Sequence, residues 1–353
     1  MEISRRDFIR HSLLMGGVLL LSPGHLYAKT VKRERWRPGY LELEAEGKLA
    51  PRIKQAFSIL EDCHLCPRHC GVNRLKGEVG FCRAPSKLMV FSAQPHFGEE
   101  ISLVGEHGSG TIFFSNCNLR CIFCQNWPIA HEGKGEELRD QDLAGMMLYL
   151  QGIGCHNINL VTPTHVMPHI LNATRMAARK GLRIPLVYNT SGYERPEIVK
   201  LLDGIVDIYL PDLKYMDPKM SARYSSGASD YPEKAKGAII EMNRQVGEHV
   251  TDKRGIALRG VMIRHLVMPN RVAGTAQFVQ WVAKNLPKST YINIMPQYRV
   301  EYKAYEFPKM KIGRGITVEE FLEAMEWAEE AGLTNLDPHS VRVRDFYKQS
   351  RRG

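Results

Sequence analysis

Thr111-Ile112-Phe113-Phe114-Ser115-Asn116-Cys117-Asn118-Leu119-Arg120-Cys121-Ile122-Phe123-Cys124-Gln125-Asn126 sets three cysteines directly after a short apolar run. The run has the length and composition of a buried strand, and the cysteines follow with the spacing C-x3-C-x2-C. Three thiolates this close can hold one iron–sulfur cluster. A [4Fe–4S] cluster takes four ligands, so three local cysteines leave one iron free to bind something else. A zinc knuckle or buried free thiols would use the same residues; the strand-end context favours the cluster.

Outward from this loop, short apolar runs alternate with helical patterns. Strands are expected at Thr111–Ser115, Asn157–Val161, Ile184–Asn189, Ile205–Leu210, Val261–Val267 and Tyr291–Ile294. Amphipathic segments lie between them, and a last helix opens with the capping box Thr317-x-x-Glu320. Such alternation argues for an α/β fold with a parallel sheet and right-handed crossovers. Six units, short of eight, point to an open, partial (β/α)6 barrel.

This architecture puts chemistry at the carboxyl ends of its strands. There lie the three cysteines, then Thr162-Pro163-Thr164-His165, Asn189-Thr190-Ser191-Gly192, Asp212-Leu213-Lys214, Arg264-His265 and Pro296-Gln297-Tyr298. Asp212 and Lys214 read either as a surface ion pair, worth roughly 0–1 kcal/mol, or as site residues. Their position beyond an apolar strand favours the site. Arg264 interrupts an apolar strand, and an inward guanidinium needs an anionic partner. Cys155 precedes its strand, which places it at the opposite end as a core thiol.

A second set precedes the barrel: Cys63, Cys66, Cys70 and Cys82, spaced C-x2-C-x3-C-x11-C among glycines. Four thiolates suit a closed zinc site or a fully ligated [4Fe–4S] cluster. His64 and His69 flank these cysteines rather than joining them. Residues from about Leu41 to Leu60 have helical character, with Leu49, Ile53, Phe57 and Leu60 on one face.

The chain of 353 residues carries a net charge of +10. Residues 1–37 contribute +5 and residues 341–353 contribute +4, which leaves the body near +1. A nucleic-acid footprint should lie on the folded body, so no nucleic-acid partner is expected. At the N-terminus, Arg5-Arg6 precedes an apolar stretch from Leu13 to Leu21 and then Leu26-Tyr27-Ala28. The order looks like a twin-arginine export signal over 1–28. Periplasmic residence is expected, with cytoplasmic or membrane-retained residence as the alternative and no stable transmembrane span. Four domains are expected. They are this signal, a segment over 29–104 with a linker, a helix and the four-cysteine metal-binding set, a core barrel over 105–335, and a basic tail over 336–353.

With these residues assembled, residues 105–300 resemble the core of the radical S-adenosylmethionine (radical SAM) superfamily, most closely the pyruvate formate-lyase activating enzymes. From about Glu61 the chain is similar to a branch of that group with an extra N-terminal cysteine set. The resemblance implies that Cys117, Cys121 and Cys124 ligate a [4Fe–4S] cluster whose open iron takes SAM. It implies cofactor contacts from Thr164, Asn189, Asp212, Lys214 and Arg264. The implied activity is reductive cleavage of SAM to a 5′-deoxyadenosyl radical that abstracts hydrogen. A low-potential electron donor and a glycyl-radical-type or other protein substrate would be the partners. Cys63, Cys66, Cys70 and Cys82 would hold an auxiliary cluster or zinc. Two departures stand out: Thr162-Pro163-Thr164 replaces the family's Gly-Gly-Glu, and Tyr298 replaces a histidine. The competing reading is an exported two-cluster electron-transfer or sensor protein without SAM turnover.

Overall fold

The computed structural model describes residues 29–32, 36–306 and 311–351; the export signal expected over 1–28 lies outside them. Among the described residues ten strands form one sheet: β1 (Lys29–Thr30), β2 (Leu88–His96), β3 (Ser109–Phe114), β4 (Glu136–Leu138), β5 (Ile158–Val161), β6 (Leu186–Thr190), β7 (Ile208–Pro211), β8 (Val250–Thr251), β9 (Ala257–Leu266) and β10 (Tyr291–Met295). The strands β3, β5, β6, β7, β9 and β10 are parallel and neighbour one another in chain order. Helices such as Asp140–Gly152, Met167–Arg179, Tyr231–Val246 and Thr275–Asn285 cross between them. This is the expected six-unit α/β arrangement.

Side chains alternate across the sheet because successive Cβ atoms point to opposite faces. Ile158, Leu160, Leu186, Tyr188, Tyr209, Val261 and Ile263 join the helices in a large outer core. Val187, Ile208, Leu210, Ala257, Met262 and Tyr291 face inward and close around Leu103. Leu103 belongs to the short helix Ile101–Val104, which precedes the first core strand. Its carbonyl accepts from Asn157 Nδ2 at 2.8 Å, fixing the plug at the amino end of the barrel.

Several sequence expectations change here. The helical stretch from Leu41 to Leu60 is two helices, Gly39–Ala45 and Leu49–Ser58. They are broken where Gly47 takes φ 71° and Lys48 N–H turns back to Leu43 O at 2.8 Å. A left-handed glycine is a common helix stop. The boundary expected at residue 104 cuts through the core, because β2 pairs antiparallel with β3 and the Leu103 plug lies before it. The strand β2 contains Pro95, tolerated because its outer edge meets β4 only at Leu88–Val90. The basic tail expected over 336–353 contains the helix Pro338–Ser350, started by Asp337, whose carboxylate accepts from the His339 and Ser340 amides. The capping box is present as read: Glu320 N–H meets Thr317 Oγ1 at 3.2 Å and Thr317 N–H meets Glu320 Oε2 at 2.9 Å. Among the described residues no helix is long and apolar enough to cross a membrane.

Candidate functional site

The loop after β3 is held in an unusual backbone. Asn116 and Arg120 take φ 75° and 52°, a left-handed conformation that costs non-glycine residues energy and gathers at functional sites. Neighbours hold the loop there. Asn118 Nδ2 donates to Tyr193 O at 2.8 Å, and Ile122 N–H donates to Tyr224 O at 3.0 Å. His131 Nε2 meets Cys121 O at 3.0 Å. Phe123 is buried with its ring 5.8 Å from that of Tyr298 and 6.4 Å from Tyr215. Tyr298 therefore packs the loop, and its hydroxyl donates to Ile312 O at 2.7 Å.

Donors already point at the sulfurs. Ser225 Oγ lies 3.1 Å from Cys121 Sγ, and Leu119 N–H lies 3.4 Å from Cys117 Sγ. Burial pushes the Cys121 thiol up to about 11 and Cys124 up to about 12, the latter helped by the charges of Cys117 and Cys121. Three neighbouring thiols, one buried and two half-buried, suit a cationic centre that would stabilise them as thiolates. Among the described residues no group of three His, Cys, Asp or Glu is placed to hold a single metal ion. A [4Fe–4S] cluster fits this donor set, since each thiolate binds a different iron.

Beside the loop runs a buried charged network. Lys214 Nζ pairs with Asp212 Oδ2 at 2.5 Å, and Arg264 Nε donates to Asp212 Oδ1 at 2.8 Å. Arg264 Nη2 donates to Asn189 Oδ1 at 2.6 Å. Burial would push the Asp212 carboxyl up, but Arg264 and then Lys214 outweigh it and hold it below the usual range. Burial likewise disfavours charge on Lys214, yet Asp212 and Cys121 raise it above its ordinary value. The next residue, Tyr215, reaches the cysteine loop: its hydroxyl lies 3.1 Å from Ser225 Oγ, which lies 3.1 Å from Cys121 Sγ. Gly192, with φ 79°, lets the β6 and β7 loops touch, because a Cβ there would overlap the Asp212 carbonyl oxygen.

Asn189, Asp212, Lys214 and Arg264 are thus brought together. Thr164 is not in their network; its hydroxyl donates to Glu194 Oε1 at 2.5 Å. The preceding Thr162 takes φ 60°, so the turn that lacks Gly-Gly keeps a conformation glycine would favour. His165 is buried, with Nε2 2.6 Å from Ser115 O. His265 bridges Leu213 O and Thr275 Oγ1 at 2.6 and 3.0 Å. Both brace the strand ends. Cys155 is a buried thiol 3.8 Å from His107 O, at the amino end of β5 as expected.

Two residues escaped the sequence reading. Glu99 and Glu100 enter the barrel just before the plug. Glu99 Oε2 lies 3.3 Å from Arg264 Nη1, and Glu100 Oε1 accepts from Asn293 Nδ2 at 2.9 Å. Burial raises the Glu100 carboxyl to about 7, against the pull of Arg264. They carry no motif; an acidic pair beside Gly98 was the only available signal.

The four N-terminal cysteines also gather. Burial, then the charges of Cys82 and Cys63 among others, push the Cys66 thiol up. Burial does the same for Cys82, with Cys63 and Cys70 adding to it. Phe81 N–H donates to Cys70 Sγ at 3.3 Å. The segment docks on the core through Arg68, whose Nε donates to Asn118 O at 2.9 Å and whose Nη2 donates to Ser225 O at 3.2 Å. Its guanidinium carbon also lies 3.7 Å above the centre of the Phe81 ring. Arg74, buried, donates to His165 O at 2.8 Å.

The family model described as the radical SAM superfamily matches residues 111–252, from β3 and the cysteine loop to β8. An uncharacterised protein of Methanocaldococcus jannaschii is 34% identical over 304 residues, covering 83% of this chain and 82% of the relative. A second uncharacterised protein of that organism is 23% identical over 286 residues, covering 74% of this chain and 79% of the relative. Among solved structures, TYW1 with a lysine-pyruvate adduct bound aligns with TM-score 0.41 and 12% identity, over 62% of this chain and 73% of that one. The family model spans the three-cysteine loop and the carboxyl ends of β3, β5, β6 and β7, and the chain carries a radical SAM superfamily domain over residues 111–252.

Proposed function

We propose that this chain is a radical SAM enzyme in which Cys117, Cys121 and Cys124 hold a [4Fe–4S] cluster and the Asn189, Asp212, Lys214 and Arg264 network receives SAM. One observation carries the reading: a strand-end network of paired charges lies directly against a three-thiol loop whose sulfurs already face N–H and O–H donors. When bound, the cluster and SAM supply reductive carbon–sulfur cleavage and hydrogen abstraction from a substrate. The chain's own part is to orient and to exclude water. Arg264 would bind the SAM carboxylate, Asp212 fixes both Arg264 and Lys214 in place, and Phe123 with Tyr298 closes the loop side.

We extend the proposal to the N-terminal set as an auxiliary [4Fe–4S] cluster on Cys63, Cys66, Cys70 and Cys82. Behind it stands an all-sulfur donor set whose members feel one another's charge and whose Cys70 Sγ accepts from Phe81 N–H. The resemblance to activating enzymes adds a protein substrate, and the sequence of residues 1–28 adds twin-arginine export. A reporter fused to residues 1–30 should be exported, and Arg5→Lys with Arg6→Lys should abolish this, because a receptor reads the paired guanidinium groups.

The deciding experiment is anaerobic reconstitution with iron and sulfide, followed by an assay for 5′-deoxyadenosine. Product that depends on reductant and SAM supports the enzyme. A fully reconstituted protein that makes none, and whose spectrum ignores SAM, leaves an electron carrier.

A further inference from the structure

Arg264 is held tightly on two sides and loosely on a third. Its bonds to Asp212 and Asn189 are 2.8 and 2.6 Å, whereas Glu99 Oε2 stands 3.3 Å from Nη1. The other oxygen of Glu99 is only 3.4 Å from Asn189 Nδ2. A guanidinium has five N–H donors and a carboxylate about four acceptor positions, so each partner keeps unused capacity where the two meet. Neither side chain is sealed, at 16% exposed for Arg264 and 10% for Glu99. Spare N–H groups and a spare carboxylate lie side by side.

That pattern complements a zwitterion with a carboxylate and an ammonium on one carbon. Other atoms on the same inner wall await partners. Glu100 Oε2 is buried without one among the described residues, and so are both amide atoms of Asn159. Asn159 pairs in register with the inward-facing Val187, which sets it on the interior face. Meanwhile the strand-end stretch Thr162-Pro163-Thr164 has no acidic side chain, and the Thr164 hydroxyl is engaged by Glu194.

We propose that Glu99, carried into the barrel by the connection between β2 and β3, binds the ammonium of an α-amino acid head group whose carboxylate lies on Arg264. The inference rests on the radical SAM reading, under which that head group is the methionyl end of SAM. Glu99 is then a specificity residue supplied from outside the six-strand core, held loosely by Arg264 and Asn189 until the zwitterion arrives.

The test uses the full reconstituted chain and three probes in equilibrium binding: SAM, L-methionine, and 5′-methylthioadenosine, which keeps the nucleoside and lacks the head group. Glu99→Gln keeps the shape and the contact to Asn189 but removes the charge. It should weaken SAM and L-methionine about tenfold or more, as for loss of one charge-assisted hydrogen bond. Binding of 5′-methylthioadenosine should not change, and Glu99→Asp should recover part of the loss. Unchanged SAM affinity would make Glu99 a mere counter-ion of Arg264. Tighter SAM binding would make it a competitor for the carboxylate site, and equal loss for all three probes would mean general damage to the pocket; each overturns the proposal. Failure of the wild-type, iron-loaded protein to bind SAM would sink the SAM reading instead. L-methionine would then still decide the role of Glu99, with equal binding by wild type and Glu99→Gln overturning it.

Discussion

The loop of Cys117, Cys121 and Cys124 and the segment of Cys63, Cys66, Cys70 and Cys82 use one kind of ligand in opposite settings. The first offers three thiols beside a cation, Lys214, that interacts with Cys121 and belongs to a network of four polar residues. The second offers four thiols, of which Cys66 and Cys82 are shifted first by burial, with further effects from the other thiols, from Glu194 and from the guanidinium of Arg74, whose own bonds go to the His165 and Pro85 carbonyls. The difference lies in what stands next to the sulfurs. A missing fourth thiol is useful only where polar groups wait to orient whatever takes its place. A complete set needs only enclosure.

The strongest way to break the comparison is to remove one ligand from each region. Cys117→Ala should lower iron from about eight to about four per chain and reduce 5′-deoxyadenosine formation to background. Cys66→Ala should remove the other four irons and leave the paramagnetic signal that responds to SAM. A wild type with four irons and one zinc would keep the enzyme and reject the auxiliary cluster.

A smaller effect is expected from Arg264→Ala. It should weaken the spectral response to SAM about ten- to a hundredfold without loss of iron, because a charge-assisted hydrogen bond contributes about 1.5–3 kcal/mol. Iron loss in this variant would mean that Arg264 props up the loop and does not meet the ligand. Arg68→Ala tests the junction between the regions. Losing its bonds to the Asn118 and Ser225 carbonyls should cost about 2–3 kcal/mol, read as a lower thermal midpoint, while SAM affinity stays constant. A wild-type midpoint would show that the N-terminal segment is held by other contacts.

The smallest effect concerns Glu194, buried between Thr164 and Thr190. Burial raises its carboxyl from 4.5 to about 7, only partly offset by the two threonine hydroxyls. An acid with a raised folded value destabilises the fold as pH climbs from its ordinary value to the raised one, and the penalty is absent below both. Glu194→Gln, which keeps both threonine bonds, should therefore stabilise by about 1–3 kcal/mol at pH 8 and by nothing near pH 4. A constant difference across that range would show that the carboxyl titrates alike in the folded and unfolded chain.

Much of the barrel is legible because its signals are local. Buried parallel strands read as apolar runs, and cysteine spacing is a property of adjacent residues. Asp212, Lys214 and Arg264 can be found because strand ends are where this architecture collects ligands. The strand β2 escapes because its side chains are mostly exposed or half-buried and it contains Pro95. Glu99 escapes for another reason: its partner Arg264 is 165 residues away, and no periodicity encodes that meeting. The Arg68 anchor is similar, a single side chain reaching backbone carbonyls that any sequence would present. The last helix is hidden by its charge; its polar faces are those of a surface helix, and only the Asp337-Pro338 start marks it.

The Leu103 plug sets an order on the birth of the molecule. Its socket is built from β6, β7, β9 and finally Tyr291 at the start of β10. A chain emerging from the ribosome holds Leu103 ready long before the residue that completes its enclosure exists. The interior of the barrel cannot be sealed strand by strand. It closes late, around a segment made early, so a nascent chain stopped before β10 would present an open apolar socket to whatever attends it.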